Sequence, residues 1–365
     1  MKIFKFLVSV VVVSIFCQSN AMACSSFKVV AKDGTIVNTR TMEFGYDTAS
    51  AVVVIPRGKD FTSPSPDNNI AGLKWNNKYG YVGVNVFGKD DLIVDGLNEA
   101  GLSFSALWYE PDIKWQEVAP GEEAKALAYE MLGAWALGNF SKVEEVRAAI
   151  NDIKIYAMVM PAMKMAPPMH IALYDSAGGS IVIECDKGEV HVYDNPIGVM
   201  TNAPNFPWMI TNLRSYIGLS EKELPAAEYA GIKLNPTGHG NGMLGLPGDI
   251  TPPSRFVRMA VMLHFADQQD DADGALNLAQ HVANSFTIVK GMAVDRTPDG
   301  KTVSNESTQW TALKDLTNKV FYFQTYDNLD MRKIDLKQLD FKTEKTISMS
   351  GDKGTVVDKT PVSEL

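Results

Sequence analysis

Ala21-Met22-Ala23-Cys24 is the stretch on which the reading of this chain turns. It closes a short leader with Lys2 and Lys5 in its n-region and an almost wholly apolar run from Phe6 to Phe16. That run is too short to span a bilayer comfortably, and small residues at Ala21 and Ala23 suit a signal peptidase. Cleavage after Ala23 would deliver an exported, periplasmic or secreted, protein that begins at Cys24. An uncleaved anchor and a lipidated Cys24 are the alternatives, although a lipobox wants a larger aliphatic residue where this chain has Ala21. A leading cysteine carries a thiol and a free α-amine together, a nucleophile with its own base.

The bulk numbers agree with an exported globular protein. Net charge is −9, and losing Lys2 and Lys5 makes it about −11. An acidic chain without a basic run argues against nucleic acid as a partner. No later run is long and apolar enough to be a stable membrane span. Of three cysteines, Cys17 leaves with the leader, so Cys24 and Cys185 remain to pair or stay free. Cys185 ends the apolar run Ser180-Ile-Val-Ile-Glu-Cys185 and reads as a buried structural thiol. Residues 1–23 are therefore read as the signal peptide, 24–345 as one catalytic domain and 346–365 as a polar C-terminal tail.

From Cys24 the chain reads as a hairpin, with Asp33-Gly34 as a two-residue turn between apolar strands. With those two residues in the loop, Cys24 faces Glu43 and Phe27 faces Arg40. Glu43 is then placed to hold the Cys24 amine, and Arg40 projects from the opposite face unless a bulge re-aims it. Further strands follow at 51–55, 79–87, 92–94 and 102–108. The acid-opened segment Glu122 to Leu137 reads as a helix. Ser141-Lys-Val-Glu144 reads as a capping box for a helix to about Ile150. Strands resume between 155 and 200, and His170 opens one of them as a core or supporting histidine. A short helix spans about 208–217. Gly218 to Thr251 is a long Gly- and Pro-rich loop, functional or an interaction element. Pro252-Pro253 starts a helix, Ala272 to Ser285 forms another, and a last hairpin turns at 316–318. Hairpin-linked strands alternating with helix pairs argue for an α+β fold of mainly antiparallel sheets. Strands apolar on both faces point to four layers, helix–sheet–sheet–helix.

Four separated motifs now resemble one family. Cys24 stands with Asp33-Gly34 and Thr39-Arg40-Thr-Met-Glu43. Then come Asp95-Gly-Leu-Asn98-Glu-Ala-Gly101-Leu102, Thr201-Asn202-Ala-Pro204-Asn-Phe206, and Gly245-Leu-Pro-Gly-Asp249 followed by Ser254-Arg255-Phe256. In this order, from Cys24 to about Asn328, they are similar to the choloylglycine hydrolases, which include bile salt hydrolases and penicillin V acylases. The resemblance implies an αββα N-terminal nucleophile hydrolase sandwich and hydrolysis of linear amides.

It also implies roles. Cys24 is the nucleophile and Arg40 the arginine beside it. Glu43 orients the α-amine, in a place where the family usually has aspartate. Asn202 donates to the oxyanion, and Arg255 is the second active-site arginine. Trp108 falls where bile salt hydrolases carry asparagine and some penicillin acylases tyrosine; its backbone N–H would be the other oxyanion donor and its indole an apolar platform. No metal or cofactor is implied, and no zinc pattern such as H-E-x-x-H occurs. The expected partner is a small-molecule amide with an apolar acyl group, as for a penicillin V acylase or an N-acyl-homoserine-lactone acylase. The methionine-rich stretch Met158 to Met169 would supply an adaptable wall. Conjugated bile salts are the runner-up. A catalytically silent periplasmic or lipid-anchored binding protein is the reading of another class. Residues 218–251 would carry homo-oligomer assembly, a tetramer by resemblance, or else cover the substrate.

Overall fold

The first strand, β1 (Cys24–Val30), forms a hairpin with β2 (Ile36–Phe44). Cys24 pairs with Met42, Ser26 with Arg40 and Lys28 with Asn38. This corrects the expected pairing of Cys24 with Glu43 by one residue. The loop is three residues long. Gly34 N donates to Ala31 O at 3.1 Å, Ala31 N donates to Thr35 O at 2.9 Å, and Gly34 sits at φ +87°. Lys32-Asp33-Gly34 is thus a tight turn followed by a glycine in the left-handed region, the next most common hairpin after the two-residue loop. A single-residue change of register moves every side chain across the sheet. Arg40 joins Met42 on the Cys24 face without needing a bulge, and Glu43 goes to the other face with Ser25 and Thr41.

The structure is a computed structural model that describes residues 23–67, 69–110, 113–159, 165–351 and 354–355. The expected leader up to Met22, part of the methionine-rich stretch and most of the expected tail lie outside those residues. Two antiparallel sheets dominate. One runs in the order Val199–Met200, β1, β2, Thr302–Asp315, Val320–Thr325, Asn328–Asp335, with Ala293–Arg296 also paired to Thr302–Asp315. The other runs Glu189–Asp194, Ser180–Asp186, Met169–Asp175, Leu102–Trp108, Lys89–Asn98, Tyr81–Val86, Ala51–Ile55, Lys345–Ser348. Helices α1 (Leu132–Asn139) and α2 (Val143–Ala149) cover the second sheet. After α3 (Phe206–Asn212), α4 (Pro252–Phe265) and α5 (Ala272–Asn284) cover the first. The four expected layers, αββα, are present.

Apolar side chains fill most of the space between the sheets, but a polar seam crosses it. Ser103 Oγ donates to Asn38 Oδ1 at 2.7 Å, and Arg40 Nη2 donates to Ala106 O at 2.6 Å. Lys314 Nζ meets Asp95 Oδ1, both side chains fully buried, and Ser105 Oγ donates to the same oxygen at 2.7 Å. Burial pushes the Lys314 ammonium down to about 8, against the pull of Asp95. Each of these contacts is specific in direction, so together they fix how the sheets slide against one another.

Three local expectations fail for tertiary reasons. Residues 122–131 do not form a helix. A 3-10 turn at Glu123–Lys125 leads into the strand Ala126–Ala128, which pairs in parallel with Lys154–Tyr156, and a second turn precedes α1. Ala126 O accepts from Leu73 N at 2.8 Å and Ala128 N donates to Ser63 Oγ at 2.9 Å, groups a helix would have used internally. The box before α2 uses Glu145, whose carboxylate accepts from Ser141 N at 2.7 Å, rather than Glu144. Beyond residue 345 the chain still pairs: Lys345–Ser348 adds an edge strand to Ala51–Ile55, and Met349 is buried.

Replacing Lys314 by Met leaves Asp95 charged, buried and without its cation. We expect a loss of about 3–5 kcal/mol in urea unfolding. The double change Lys314→Met with Asp95→Leu should recover most of it, because both charges then leave the interior together.

Candidate active site

Cys24 lies where the two sheets meet and is 1% exposed. Its sulfur receives Arg40 Nη2 at 3.7 Å, and the backbones of Glu43 and Trp108 hydrogen-bond toward it. Burial pushes the thiol up; the Arg40 charge pulls it down, the Glu43 charge pushes it up, and the two backbone hydrogen bonds lower it. Arg40 is itself fully buried, with its plane over the Trp310 ring at 4.8 Å and its other contacts to Met42 Sδ at 3.4 Å and Ala106 O. Its Nε and Nη1 have no hydrogen-bond partner among the described residues. A buried guanidinium so poorly compensated favours a negative charge on its neighbour, which here is the sulfur.

On the nitrogen side of Cys24 the anchor is Arg255, in the first turn of α4. Nε donates to Ile250 O at 2.9 Å. Nη1 donates to Cys24 O at 2.7 Å and Ser25 Oγ at 2.6 Å. Nη2 donates to Asn202 Oδ1 at 2.7 Å. One planar fork therefore ties α4, β1 and the segment after Met200 together. Cys24 N also donates to Asn202 Oδ1, at 2.8 Å. Two donors on that oxygen fix the amide's orientation, so Nδ2 points at Trp108 O, 2.9 Å away. Only one of the two Nδ2 protons is used there. His170 supports this segment from behind, with Nε2 2.7 Å from Thr201 O and Nδ1 3.1 Å from Glu184 Oε1.

The structure thus brings Cys24, Arg40, Trp108, Asn202 and Arg255 into one cluster. Glu43 is close but does not hold the Cys24 nitrogen as expected. From the other face of the sheet its carboxylate accepts from Thr41 Oγ1 at 3.1 Å and Thr308 Oγ1 at 2.8 Å. Burial pushes it up to about 7, against the pull of Arg255 and its two hydroxyl partners. Four neighbours escaped sequence reading: Ser25, Glu306, Thr308 and Trp310. Three of them come from the strand Thr302–Asp315, over 250 residues away in the chain, and nothing local in the sequence marks them. Ser25 adjoins Cys24, and only the correct hairpin register would have flagged it.

An apolar cavity of about 40 Å³ is lined in part by Met42, Phe104, Ala106, Trp108, Tyr129 and Met169, so it shares Met42 and Ala106 with the contacts of Arg40. Trp108 is buried, its Nε1 donating to Glu110 Oε2 at 3.1 Å. Met169 thus joins the wall expected of the methionine-rich stretch; Met158 is exposed, and residues 160–164 lie outside the described residues. Cys185 is buried and free, and burial pushes its thiol up to about 12. Among the described residues no group of three or more His, Cys, Asp or Glu could hold a metal ion.

Two facing antiparallel sheets between helix pairs, with a cysteine heading an inner strand against two arginines and an asparagine amide, define the class of N-terminal nucleophile hydrolase folds. Comparison with known proteins gives the family. The model of the linear amide C–N hydrolases, choloylglycine hydrolase family, matches residues 24–349, and the chain belongs to that family of amidohydrolases. It is 31% identical to a bile salt hydrolase/transferase of Clostridium perfringens, over 90% of this chain and 99% of that one. Identity to a penicillin V acylase of Pectobacterium atrosepticum is 24%, over 84% of this chain and 78% of the relative. Among solved structures, a variant of the conjugated bile acid hydrolase from Clostridium perfringens superposes with a TM-score of 0.78 at 29% identity, covering 93% of this chain and all of that one. The penicillin V acylase from Agrobacterium tumefaciens shares the fold, with a TM-score of 0.71 at 22% identity over 90% of this chain and 92% of its own.

Arg255→Lys keeps the charge and loses the fork. A point ammonium serves one or two of the four acceptors, so we expect a destabilisation of about 1.5–3 kcal/mol in urea unfolding. A change within 0.5 kcal/mol would show that the clamp does not hold the site together.

Proposed function

We propose that the protein is exported, cut between Ala23 and Cys24, and hydrolyses linear amides through the thiol of its new N-terminal residue. The observation that carries this reading is the convergence of Arg40, the Trp108 N–H and the Asn202 amide on Cys24, at the point where the matched family region begins. In the uncut chain the Cys24 nitrogen is an amide and has no basic lone pair. Cleavage makes it an amine with an ordinary pKa of about 7.7–8.0, close enough to take the thiol proton.

Sulfur then attacks the amide carbon while its proton passes to the α-amine. The carbonyl oxygen takes the negative charge, met by the Trp108 N–H and the unused Nδ2 proton of Asn202. The C–N bond breaks as the α-ammonium protonates the leaving amine, which departs and leaves a thioester. Water attacks the thioester, the amine accepts its proton, and the carboxylic acid leaves as sulfur regains a proton. Arg40 stabilises the thiolate, and Arg255 holds Cys24 and Asn202 in register. Glu43 sets the field around the amine from the far face of β2.

For the acyl side we favour a penicillin V acylase-like or N-acyl-homoserine-lactone acylase-like substrate. The cavity that Met42 and Trp108 line is narrow, apolar and aromatic, and ligand pockets of ordinary size are about 300 Å³ or more. Met42 and Met169 line it and can turn aside for a flat ring or a straight chain at little cost. A rigid four-ring steroid needs a larger opening. Conjugated bile salts remain the second reading, favoured by the names of the relatives quoted above. Assembly into a homo-oligomer belongs to the same proposal. The exposed ribbon Ala227–Tyr229 and Ile232–Leu234 presents Tyr229 and Ile232 to solvent, 69% and 64% exposed.

Cys24→Ser should fold and lose most turnover; full activity in that variant ends the mechanism. Asn202→Ala should lower kcat on the order of 10²–10³-fold. A panel of phenoxyacetyl amides, acyl-lactones and glycine- or taurine-conjugated steroids orders the substrate classes, and a kcat/KM highest for the steroids would overturn the acyl-pocket reading.

A further inference from the structure

Glu306 is a buried acid that the mechanism above does not use. It is 4% exposed, and it sits on the long strand Thr302–Asp315 two residues before Thr308, the residue that holds Glu43. Its Oε1 accepts the backbone N–H of Ala23, on the far side of the bond to be cut. Among the described residues this is the carboxylate's one hydrogen bond. Cutting the Ala23–Cys24 bond takes that donor away, and a buried carboxylate stripped of its donor is strongly disfavoured. The same cut converts the Cys24 nitrogen from an amide with one N–H, spent on Asn202 Oδ1 at 2.8 Å, into an ammonium with three. Successive backbone nitrogens lie roughly 3 Å apart. The new donors therefore arise next to the lost one.

We propose that Glu306 is the positioning residue of the mature α-amine: when Ala23 departs, its carboxylate transfers its hydrogen bond to the freed Cys24 nitrogen and aims it between Asn202 and the sulfur. This rests on the reading that Cys24 heads the mature chain. Charge supports it. Glu306 faces Glu43 from β2, Arg255 from α4 and Asp295 from the neighbouring strand Ala293–Arg296. Glu43 and Glu306 both draw on Arg255, while Arg40 acts on Glu43. Among the described residues no cation pairs with Glu306 alone, and cleavage would create one as the ammonium. Burial pushes it up to about 7 while Ala23 is attached, so the arriving cation decides its charge near neutrality. Maturation then does more than expose a base; it also hands the base to a waiting acceptor.

A carboxylate beside an ammonium raises the pH at which that ammonium gives up its proton and the pH at which the adjacent thiol ionises. The test is the pH dependence of Cys24 alkylation by iodoacetamide, read by mass spectrometry on the N-terminal peptide of the mature protein. E306Q should move the midpoint down by about one pH unit relative to wild type. E306D keeps the charge one methylene further back and should move it by less. An unmoved midpoint in E306Q, or a loss of reactivity equal at every pH, overturns the proposal. Should E306Q fail to fold, an unmoved midpoint in E306D overturns it instead. N-terminal sequencing separates the two readings. A mature chain beginning elsewhere than Cys24 defeats the nucleophile and Glu306 together. A chain that begins at Cys24 with an unmoved E306Q midpoint defeats Glu306 alone.

Discussion

Ser26 pairs with Arg40, and from that pairing the site follows. It puts a guanidinium on the same face as the Cys24 sulfur, in the space between two sheets where water does not reach. There the cation has one backbone carbonyl, two sulfur atoms and an indole face for company. In water such a charge would be screened; between sheets it is not, and the sulfur beside it is the group able to answer with a negative charge. The same pairing sends Glu43 to the helix side, where Thr308 and Arg255 meet it. The sulfur thus faces Arg40, while the nitrogen of the same residue is tied to Asn202 beside Arg255.

That arrangement needs a rigid tie. Arg255 supplies it by joining α4 to Cys24, Ser25 and Asn202 through one planar group. His170 and Glu184 brace the Thr201 carbonyl and the Phe206 N–H, so the turn that carries Asn202 is held at both ends. Across the inter-sheet space, Lys314 with Asp95 and Ser103 with Asn38 keep the second sheet, and with it Trp108, in register with β1. The surroundings of the thiol are therefore a property of sheet alignment, and residues far from the sulfur share in them.

Much of the architecture was legible because antiparallel strands announce themselves through alternation and turn residues. Asp33-Gly34 marked the first hairpin correctly but left its loop length open, since the same pair serves a two-residue turn or the end of a three-residue one. That ambiguity alone misplaced Arg40 and Glu43. The segment 122–131 misled for another reason. Its helix-forming composition is real, yet Leu73, Ser63 and the strand Lys154–Tyr156 claim its backbone groups, and none of these is near in sequence. Cys24 was marked by its place after Ala21-x-Ala23, whereas Asn202 and Arg255 came from the resemblance; composition did not single out the two arginines. Glu306, Thr308 and Trp310 were invisible because their place depends on a strand that joins the sheet only after most of the chain is made.

One tension in the site bears on the proposed cleavage before Cys24. With Ala23 attached, burial holds the thiol protonated and the adjacent nitrogen cannot accept its proton. Two buried carboxylates, both pushed up to about 7, face one shared guanidinium at the same end of the strand. Burial opposes the charge of both carboxylates near neutral pH. A single ammonium at the Cys24 nitrogen, on the proposed reading, would supply the carboxylates with a cation and give the sulfur a counter-charge to complement Arg40. On the proposed reading, the geometry around Cys24 is already in place and cleavage would add the one charge it lacks.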